Sequence, residues 1–159
     1  MDRLARNLDD LRSIIKTITD LERIGDEAEK LGKNALKLFA EESSAKTFVE
    51  LRHLGDSVKK MLNRALNAYA RMDVAEAFEI IQSDKEINQE FDNISRLLVI
   101  KMMEDPREIK NALRISWCAR ALERIGDHSK NICEYIVYLV KGKDVRHTSL
   151  DDIKKELLS

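Results

Sequence analysis

Two pairs of carboxylates lie inside a six-residue sequence that the chain contains twice. Leu-Glu-Arg-Ile-Gly-Asp begins at residue 21 and again at residue 122. In both copies one acid follows another at a spacing of four residues, which gives the pairs Glu22 with Asp26 and Glu123 with Asp127. On an α-helix this spacing places both carboxylates of a pair on one side, where they repel each other unless a positive charge lies between them. A divalent cation is one such charge.

A glycine precedes the second acid of each pair, at Gly25 and Gly126. Glycine in the interior of a helix costs about 1 kcal/mol relative to alanine. A close neighbour, such as a second helix or an ion, is the natural reason for its presence. The repeated glycine therefore predicts that something approaches the helix beside each acid pair.

A further acid, Asp84, falls on the apolar stripe of another predicted helix, where a core residue is expected. A charge at such a place is unfavourable unless it is paired, hydrogen-bonded or bound to a metal. Asn88 lies four residues later, beside the stripe. These two residues could face Glu123 and Asp127 from a neighbouring helix, which predicts an all-oxygen site. Such ligands suit Mg, Mn, Ca or iron better than zinc or copper.

Other interpretations of these acids stay open. Most acids on helices are only solvated, so the pairs could be exposed flanks of a structural helical module that binds nothing. Asp84 could be buried in an ion pair with Arg120 or Arg124. Glu50 and His53 form a Glu-x-x-His sequence, but a ferritin-like di-metal oxidase or storage protein needs a second copy and further Glu residues.

The remaining reactive side chains predict no further chemistry. Cys118 and Cys133 lie in one helical segment without metal-type Cys-x-x-Cys spacing, so we interpret them as reduced core residues of a cytosolic protein. His128 follows Asp127 but lies about 100° round the helix, and we expect it on the surface. Nothing resembles a Gly-rich phosphate loop, a nucleophile elbow or a catalytic Cys/His pair. The sequence therefore contains no positive sign of an enzyme.

Composition and hydrophobic spacing predict an all-α protein. Charged residues make up 36% and hydrophobic residues 43% of the 159, with one Pro and five Gly, which is typical of long amphipathic helices. Apolar residues recur every three and four positions in four segments, at about 5–40, 47–71, 73–103 and 106–140. Asp73 and Asp105 are expected to begin helices and Gly142 to end one. Residues 41–46 are the expected first linker.

The formal net charge of -1 leaves no basic face, so nucleic acid is not an expected partner. No signal peptide is evident, and the longest apolar runs are far too short to span a bilayer. We therefore expect a soluble protein that could meet a membrane only by docking on a membrane complex.

The spacing of 101 residues between the two copies predicts a repeat of about three helices, each ending in the Leu-Glu-Arg-Ile-Gly-Asp helix. We accordingly predict three units: residues 1–42 as the last helix of a truncated first repeat, 46–142 as a complete three-helix repeat, and 143–159 as a polar tail. The first helix alone would expose a long apolar stripe. We expect it to pack on the complete repeat, to pair with another chain, or to belong to a longer product.

The chain resembles the PhoU family, the bacterial regulators of phosphate uptake and of the phosphate-starvation response. The resemblance rests on the segments 14–26 (IIKTITDLERIGD), 70–73 (ARMD), 119–141 (ARALERIGDHSKNICEYIVYLVK) and 142–147 (GKDVRH). It implies two tandem three-helix bundles whose Glu/Asp-x-x-x-Asp motifs bind clusters of metal ions. It implies that Asp84 and Asn88 form a further such motif, with Asn in place of the expected Asp.

The resemblance also implies a function. It is that of a non-enzymatic cytoplasmic adaptor, expected to be a homodimer, that restrains an ABC-type phosphate transporter through its ATPase subunit and keeps a phosphate-sensing histidine kinase in its repressing state. The implied cofactors are divalent or trivalent metal ions, with iron, Mn or Mg favoured and Zn as a further option. The family's first two helices have no counterpart here, so the resemblance implies that Glu22 and Asp26 lack their partner carboxylates unless another chain supplies them.

Overall fold

The computed structural model describes residues 3–40, 45–142 and Lys155. Four α-helices, α1 to α4, lie within the two long ranges, and a short 3-10 turn at Pro106–Glu108 precedes the last. The helices are α1 (Arg3–Ala40), α2 (Ala45–Arg71), α3 (Val74–Glu104) and α4 (Ile109–Lys141). The predicted all-α fold class is confirmed. Most of the predicted first linker, residues 41–44, and all of the predicted tail 143–159 except Lys155 lie outside the described residues.

The helix ends follow the local chemistry of the sequence. Asp73 accepts a hydrogen bond of 3.1 Å from the backbone N–H of Glu76 and so caps α3. Asp105 caps the 3-10 turn through the N–H of Arg107 at 3.0 Å, and the α-helix proper starts only after that turn. Gly142 ends α4 with a left-handed φ of 69°, a conformation that glycine adopts without steric cost.

Helices α2, α3 and α4 form a three-helix bundle with one apolar core. The two-residue connection between α2 and α3 makes them antiparallel neighbours. Each pair among the three helices is in contact. The large side chains fully buried in this bundle are Leu54, Val58, Ile80, Ile94, Leu98, Ile115, Ile132, Ile136 and Val137.

Helix α1 packs along α4 and makes no comparable contact with α2 or α3. Its buried side chains are mostly polar: Ser13, Thr17, Asp20, Ile24, Glu27 and Leu38. Its apolar stripe points to solvent, which is the reverse of the usual orientation of an amphipathic helix. The physical reason is that the face of α4 turned toward α1 carries polar groups, and these need polar partners when they are covered.

The two copies of the repeated sequence therefore occupy different environments. Ile115 of α4 is 1% exposed, whereas Ile14, its counterpart in α1, is 41% exposed. Leu122 is 6% exposed and its counterpart Leu21 is 39% exposed. The face that α4 buries against α2 and α3 is thus the face that α1 leaves open. No helix within the described ranges is long and apolar enough to cross a membrane.

Candidate metal centre

The acids of the second copy lie where α3 crosses α4. Asp84 of α3 is 4% exposed and lies beside the backbone of Gly126 in α4. A methyl group added at Gly126 would lie 3.5 Å from Cγ2 of Ile87 and 4.0 Å from Oδ1 of Asp84. A neighbouring helix therefore lies beside this glycine, as predicted, although an added methyl group would make only ordinary van der Waals contact with it. At Gly25 an added methyl group would meet no described atom within 4 Å, so no described helix accounts for the glycine of the first copy.

Asp84 is only partly neutralised. Its Oδ2 accepts a hydrogen bond of 3.3 Å from Nδ2 of Asn88 and lies 3.6 Å from Nζ of Lys130. Its Oδ1 is buried and accepts no hydrogen bond from any described residue. An acceptor in this state is unfavourable in a protein interior unless a cation or a donor reaches it.

The predicted alternative for Asp84, an ion pair with Arg120 or Arg124, is wrong. Arg120 instead binds Oε1 of Glu123 at 2.9 Å and lies 5.2 Å over the ring of Phe91. Arg124 reaches across to Glu27 of α1 at 3.4 Å. Lysine rather than arginine therefore supplies the positive charge at Asp84.

Asp127 lies on an exposed position of α4. The surrounding bundle nevertheless partly desolvates its carboxyl group and raises its pKa above the ordinary value of 3.8, and the nearby carboxylates of Asp84 and Glu123 raise that pKa further. Lys130 and His128 oppose this shift. Asp84 and Glu123 are therefore close enough to Asp127 for their charges to make its ionisation less favourable.

Within the described ranges, no group of three or more His, Cys, Asp or Glu side chains is close enough to hold a metal ion as the side chains stand. Glu123 points to Arg120, and Asp84 to Asn88 and Lys130. The donor types nevertheless suit a hard cation, and the open Oδ1 of Asp84 is the position such an ion would satisfy. Asn88 serves here as a hydrogen-bond donor to Asp84.

The first copy forms no comparable centre. Glu22 and Asp26 both lie on exposed positions of α1. No hydrogen bond or ion pair joins either of them to another described residue. The structure thus places Asp84 and Glu123 within electrostatic range of Asp127, whereas the pair on α1 is separate from them.

The polar contact between α1 and α4 was not predicted. Oδ1 of Asp20, which is 5% exposed, lies 2.7 Å from Nδ1 of His128 and accepts a hydrogen bond of 3.2 Å from Asn131. The expectation that His128 lies on the surface is wrong, since it is covered by α1. A signal existed in the sequence: Asp20 and Glu27 are seven residues apart, as are their partners Asn131 and Arg124.

The Glu-x-x-His sequence on α2 does not converge on a metal site. Glu50 is exposed, and Nδ1 of His53 lies 3.1 Å from Oε2 of Glu90 on α3. Ser57 donates to the same carboxylate at 3.2 Å. This surface contact joins α2 to α3, and it supplies no second Glu-x-x-His for a di-iron centre.

The raised pKa of Asp127 predicts a pH dependence of stability. Because the folded chain holds this proton more tightly than the unfolded chain, the free energy of unfolding falls as pH rises from about 3.8 through the raised pKa. Asp127→Asn removes that titration, so we expect the variant to lose less stability across this window and to be more stable than wild type near pH 7. Urea unfolding in the presence of a chelator, over a series of pH values, measures both the loss of stability across this window and the stability near pH 7. Asp26→Asn, its counterpart on α1, is the control, and an equal change in the two variants would contradict the prediction.

Comparison with known proteins gives matches over most of the chain. The family model of the PhoU domain matches residues 51–136. The chain is 49% identical over 151 residues to the phosphate-specific transport system accessory protein PhoU homolog of Pseudomonas aeruginosa, covering 93% of this chain and 62% of that protein. It is 46% identical over 151 residues to the accessory protein PhoU of Escherichia coli, with the same coverage.

Solved structures show the same fold. The crystal structure of PhoU from P. aeruginosa matches with a TM-score of 0.84 at 46% identity, over 90% of this chain and 68% of that one. PhoU from Streptococcus pneumoniae matches with a TM-score of 0.77 at 30% identity, over 88% and 66%. The chain spans about 60% of the length of the curated relatives cited above. These relatives are named as accessory or regulatory proteins and not as enzymes. The chain belongs to the PhoU family.

Proposed function

We propose that this chain is the metal-binding part of an accessory protein that restrains phosphate uptake and the phosphate-starvation response. Its relatives are named as accessory proteins of phosphate-specific transport systems. The proposed partners are the ATPase subunit of an ABC-type phosphate transporter and a phosphate-sensing histidine kinase. The protein would act in the cytoplasm as a homodimer and meet the membrane only through the transporter.

The observation that carries the metal-binding part is the incomplete neutralisation of Asp84. The carboxylate of Asp84 is 4% exposed and keeps one oxygen without a hydrogen bond from any described residue. It lies near Asp127, whose pKa is raised by desolvation and by the charges of Asp84 and Glu123. Burying such a group is unfavourable for the folded chain by itself. A cation bound to Asp84 would remove that cost. Metal binding therefore explains why an acid is buried here, and a purely structural bundle does not.

Asp84, Glu123 and Asp127 are the residues that would hold the metal. A bound divalent or trivalent ion would supply positive charge between carboxylates that otherwise repel each other. To receive it, Glu123 has to leave Arg120, and Lys130 has to move from Asp84. Both cations are on side chains with solvent access, with 56% of Arg120 and 36% of Lys130 exposed, so they can turn outward. Iron and Mn suit this donor set, and Mg suits it where water completes the shell.

The proposed centre spans α3 and α4, so a bound ion would tie these two helices together. Fixing one relative position of two helices is a way for a non-catalytic protein to present a defined surface to a partner. The first copy on α1 would bind metal only if another chain or segment contributed ligands, because Glu22 and Asp26 stand alone among the described residues.

Deletion of the gene in its host, followed by measurement of a phosphate-responsive promoter in high phosphate, tests the regulatory proposal. We expect derepression without the protein, restoration by the wild-type gene, and no restoration by a gene carrying Asp84→Ala with Asp127→Ala. A gene carrying Glu22→Ala with Asp26→Ala is the matched control and should restore repression more fully. Normal repression in the deletion strain would contradict the regulatory role. Full restoration by the Asp84 and Asp127 variant would contradict only the role of the metal.

A further inference from the structure

A cleft between α1 and α4 is lined by side chains that take no part in the candidate metal centre. Helix α1 contributes Arg12 and Lys16 to it, and α4 contributes Tyr135 and Tyr138. Its volume is about 200 Å³, which is below the roughly 300 Å³ at which pockets for drug-sized ligands begin. At about 30 Å³ for each molecule of liquid water, it has room for a small ion with a few waters. The cleft therefore suits a small polar ligand.

This cleft is not the result of an incomplete repeat. The offset of 101 residues makes Leu113 and Trp117 of α4 the counterparts of Arg12 and Lys16. Leu113 is 41% exposed and Trp117 is 54% exposed, although α2 and α3 both pack against α4. The helices of a complete repeat thus leave this flank open. The two helices that form the cleft, α1 and α4, are both among the described residues.

Two cations lie on the same side of α1 at this cleft. Arg12 and Lys16 are four residues apart, so they repel each other unless a negative charge lies between them. Neither of them forms an ion pair with a described residue. An anion that contacts both would remove the repulsion, and guanidinium and ammonium groups are the usual protein ligands of phosphate oxygens.

Acids in the same cleft select among anions. Asp9 of α1 and Glu134 of α4 line it, and an ionised carboxylate accepts hydrogen bonds but donates none. At about pH 7 inorganic phosphate keeps a P–OH group that can donate to a carboxylate, whereas a phosphate ester has lost most of its second proton, which has a pKa of about 6. Sulfate carries no proton at all. A site that hydrogen-bonds an OH group rejects analogues that lack it, so these acids favour hydrogen phosphate over sulfate and over esters.

Hydroxyl groups complete the lining. Ser13 is 4% exposed, and Tyr135 and Tyr138 are half-buried. A hydroxyl group can donate to a phosphate oxygen or accept from P–OH. The cleft thus offers donors and acceptors together, which is the combination that a protonated oxyanion needs and a fully ionised one does not.

We propose that the cleft between α1 and α4 binds free inorganic phosphate in its hydrogen phosphate form. Arg12 and Lys16 contact the charged oxygens, and Asp9 and Glu134 accept hydrogen bonds from P–OH. Phosphate bound there touches both helices, so it links the first copy of the repeated sequence to the second. The proposal goes beyond the function given above, because it requires neither a metal ion nor the transporter.

Equilibrium dialysis of the chain against radiolabelled phosphate, in buffer that contains a chelator, is the first test. We expect saturable binding, and binding at least about tenfold weaker in Arg12→Gln with Lys16→Gln, which loses both charged donors. Lys33→Gln with Lys37→Gln is the matched control, since it removes two cations at the same spacing from the other end of α1, and it should bind as wild type does. None of the four side chains is buried, so the helices should be retained, which circular dichroism checks. No saturable binding at millimolar phosphate, or equal weakening in both variants, would overturn the proposal.

A second variant separates this cleft from the candidate metal centre. Asp84→Ala with Asp127→Ala should bind phosphate as tightly as wild type, because neither residue lines the cleft. Loss of phosphate binding in this variant would place the phosphate at the carboxylates of α3 and α4 and overturn the assignment to the cleft.

Competition experiments test the form of the ligand. Sulfate and methyl phosphate should each displace labelled phosphate at least about tenfold less well than unlabelled phosphate does. Asp9→Asn with Glu134→Gln should narrow this preference, because an amide can donate a hydrogen bond to an oxygen that carries no proton. Equal displacement by sulfate would show that the acids do not select hydrogen phosphate. Tighter binding of methyl phosphate would assign the cleft to a phosphate ester, and either result would overturn the proposal as stated.

Discussion

Replacing Asp84 and Asp127 together by alanine is expected to abolish saturable binding of Mn²⁺ or Fe²⁺ to the purified chain. The two substitutions remove the acid with the open, buried oxygen and the acid whose pKa is raised by desolvation and by its carboxylate neighbours. Glu123 alone cannot replace them, because one carboxylate beside Arg120 presents too few oxygens for a stable site. Isothermal titration calorimetry, and metal analysis of protein purified without chelator, measure the loss.

The matched variant for this experiment is Glu22→Ala with Asp26→Ala. It removes the same two residue types at the same spacing from the first copy of the repeated sequence. Because these acids lie exposed on α1 and away from Asp84, we expect most of the binding to remain. Equal, near-zero metal in the wild type and in both variants would favour a structural bundle whose acids bind nothing. Equal loss in the two variants would show that the sites are coupled between chains.

Some parts of the candidate site could be predicted from the sequence and others could not. Asp84 could be located from the sequence because a charge on an apolar stripe is unfavourable wherever the neighbouring helices lie. Asn88 could be placed beside it because it follows four residues later on α3. Lys130 could not, because it reaches Asp84 only through the packing of α4 on α3. Arg120 and Arg124 do not pair with Asp84, because Arg120 pairs with Glu123 and Arg124 pairs with Glu27.

Some features of the fold depend on a few adjacent residues and could be predicted, whereas others depend on distant residues and could not. Capping by Asp73 and termination at Gly142 depend on a few adjacent residues, and both predictions are confirmed. The orientation of α1 depends on residues about a hundred positions away, because Asp20 turns inward to meet His128 on α4. Hydrophobic periodicity identifies the apolar face of α1 correctly but cannot say whether that face is covered. That depends on which helices are available to cover it.

Ile115 and Ile14 occupy equivalent positions in the repeat, so substitutions there measure how much each side chain contributes to stability in its own environment. We expect Ile115→Ala in α4 to lower the free energy of unfolding by about 2–5 kcal/mol, since it empties a site in the core of the three-helix bundle. Ile14→Ala in α1 should cost less than about 1 kcal/mol, because the side chain is 41% exposed and leaves no cavity. Urea unfolding at a protein concentration low enough to keep the chain monomeric separates this effect from any change in self-association.

Similar losses at both positions would mean that α1 is covered in solution as thoroughly as α4. They would also point to an association that survives dilution, and the concentration dependence of the midpoint would then reveal it. A large loss of stability from Ile115→Ala with almost none from Ile14→Ala would show that the two copies have different structural roles in the same chain. In that case the copy on α4 belongs to the core of the three-helix bundle, while the copy on α1 keeps its apolar face outside that core.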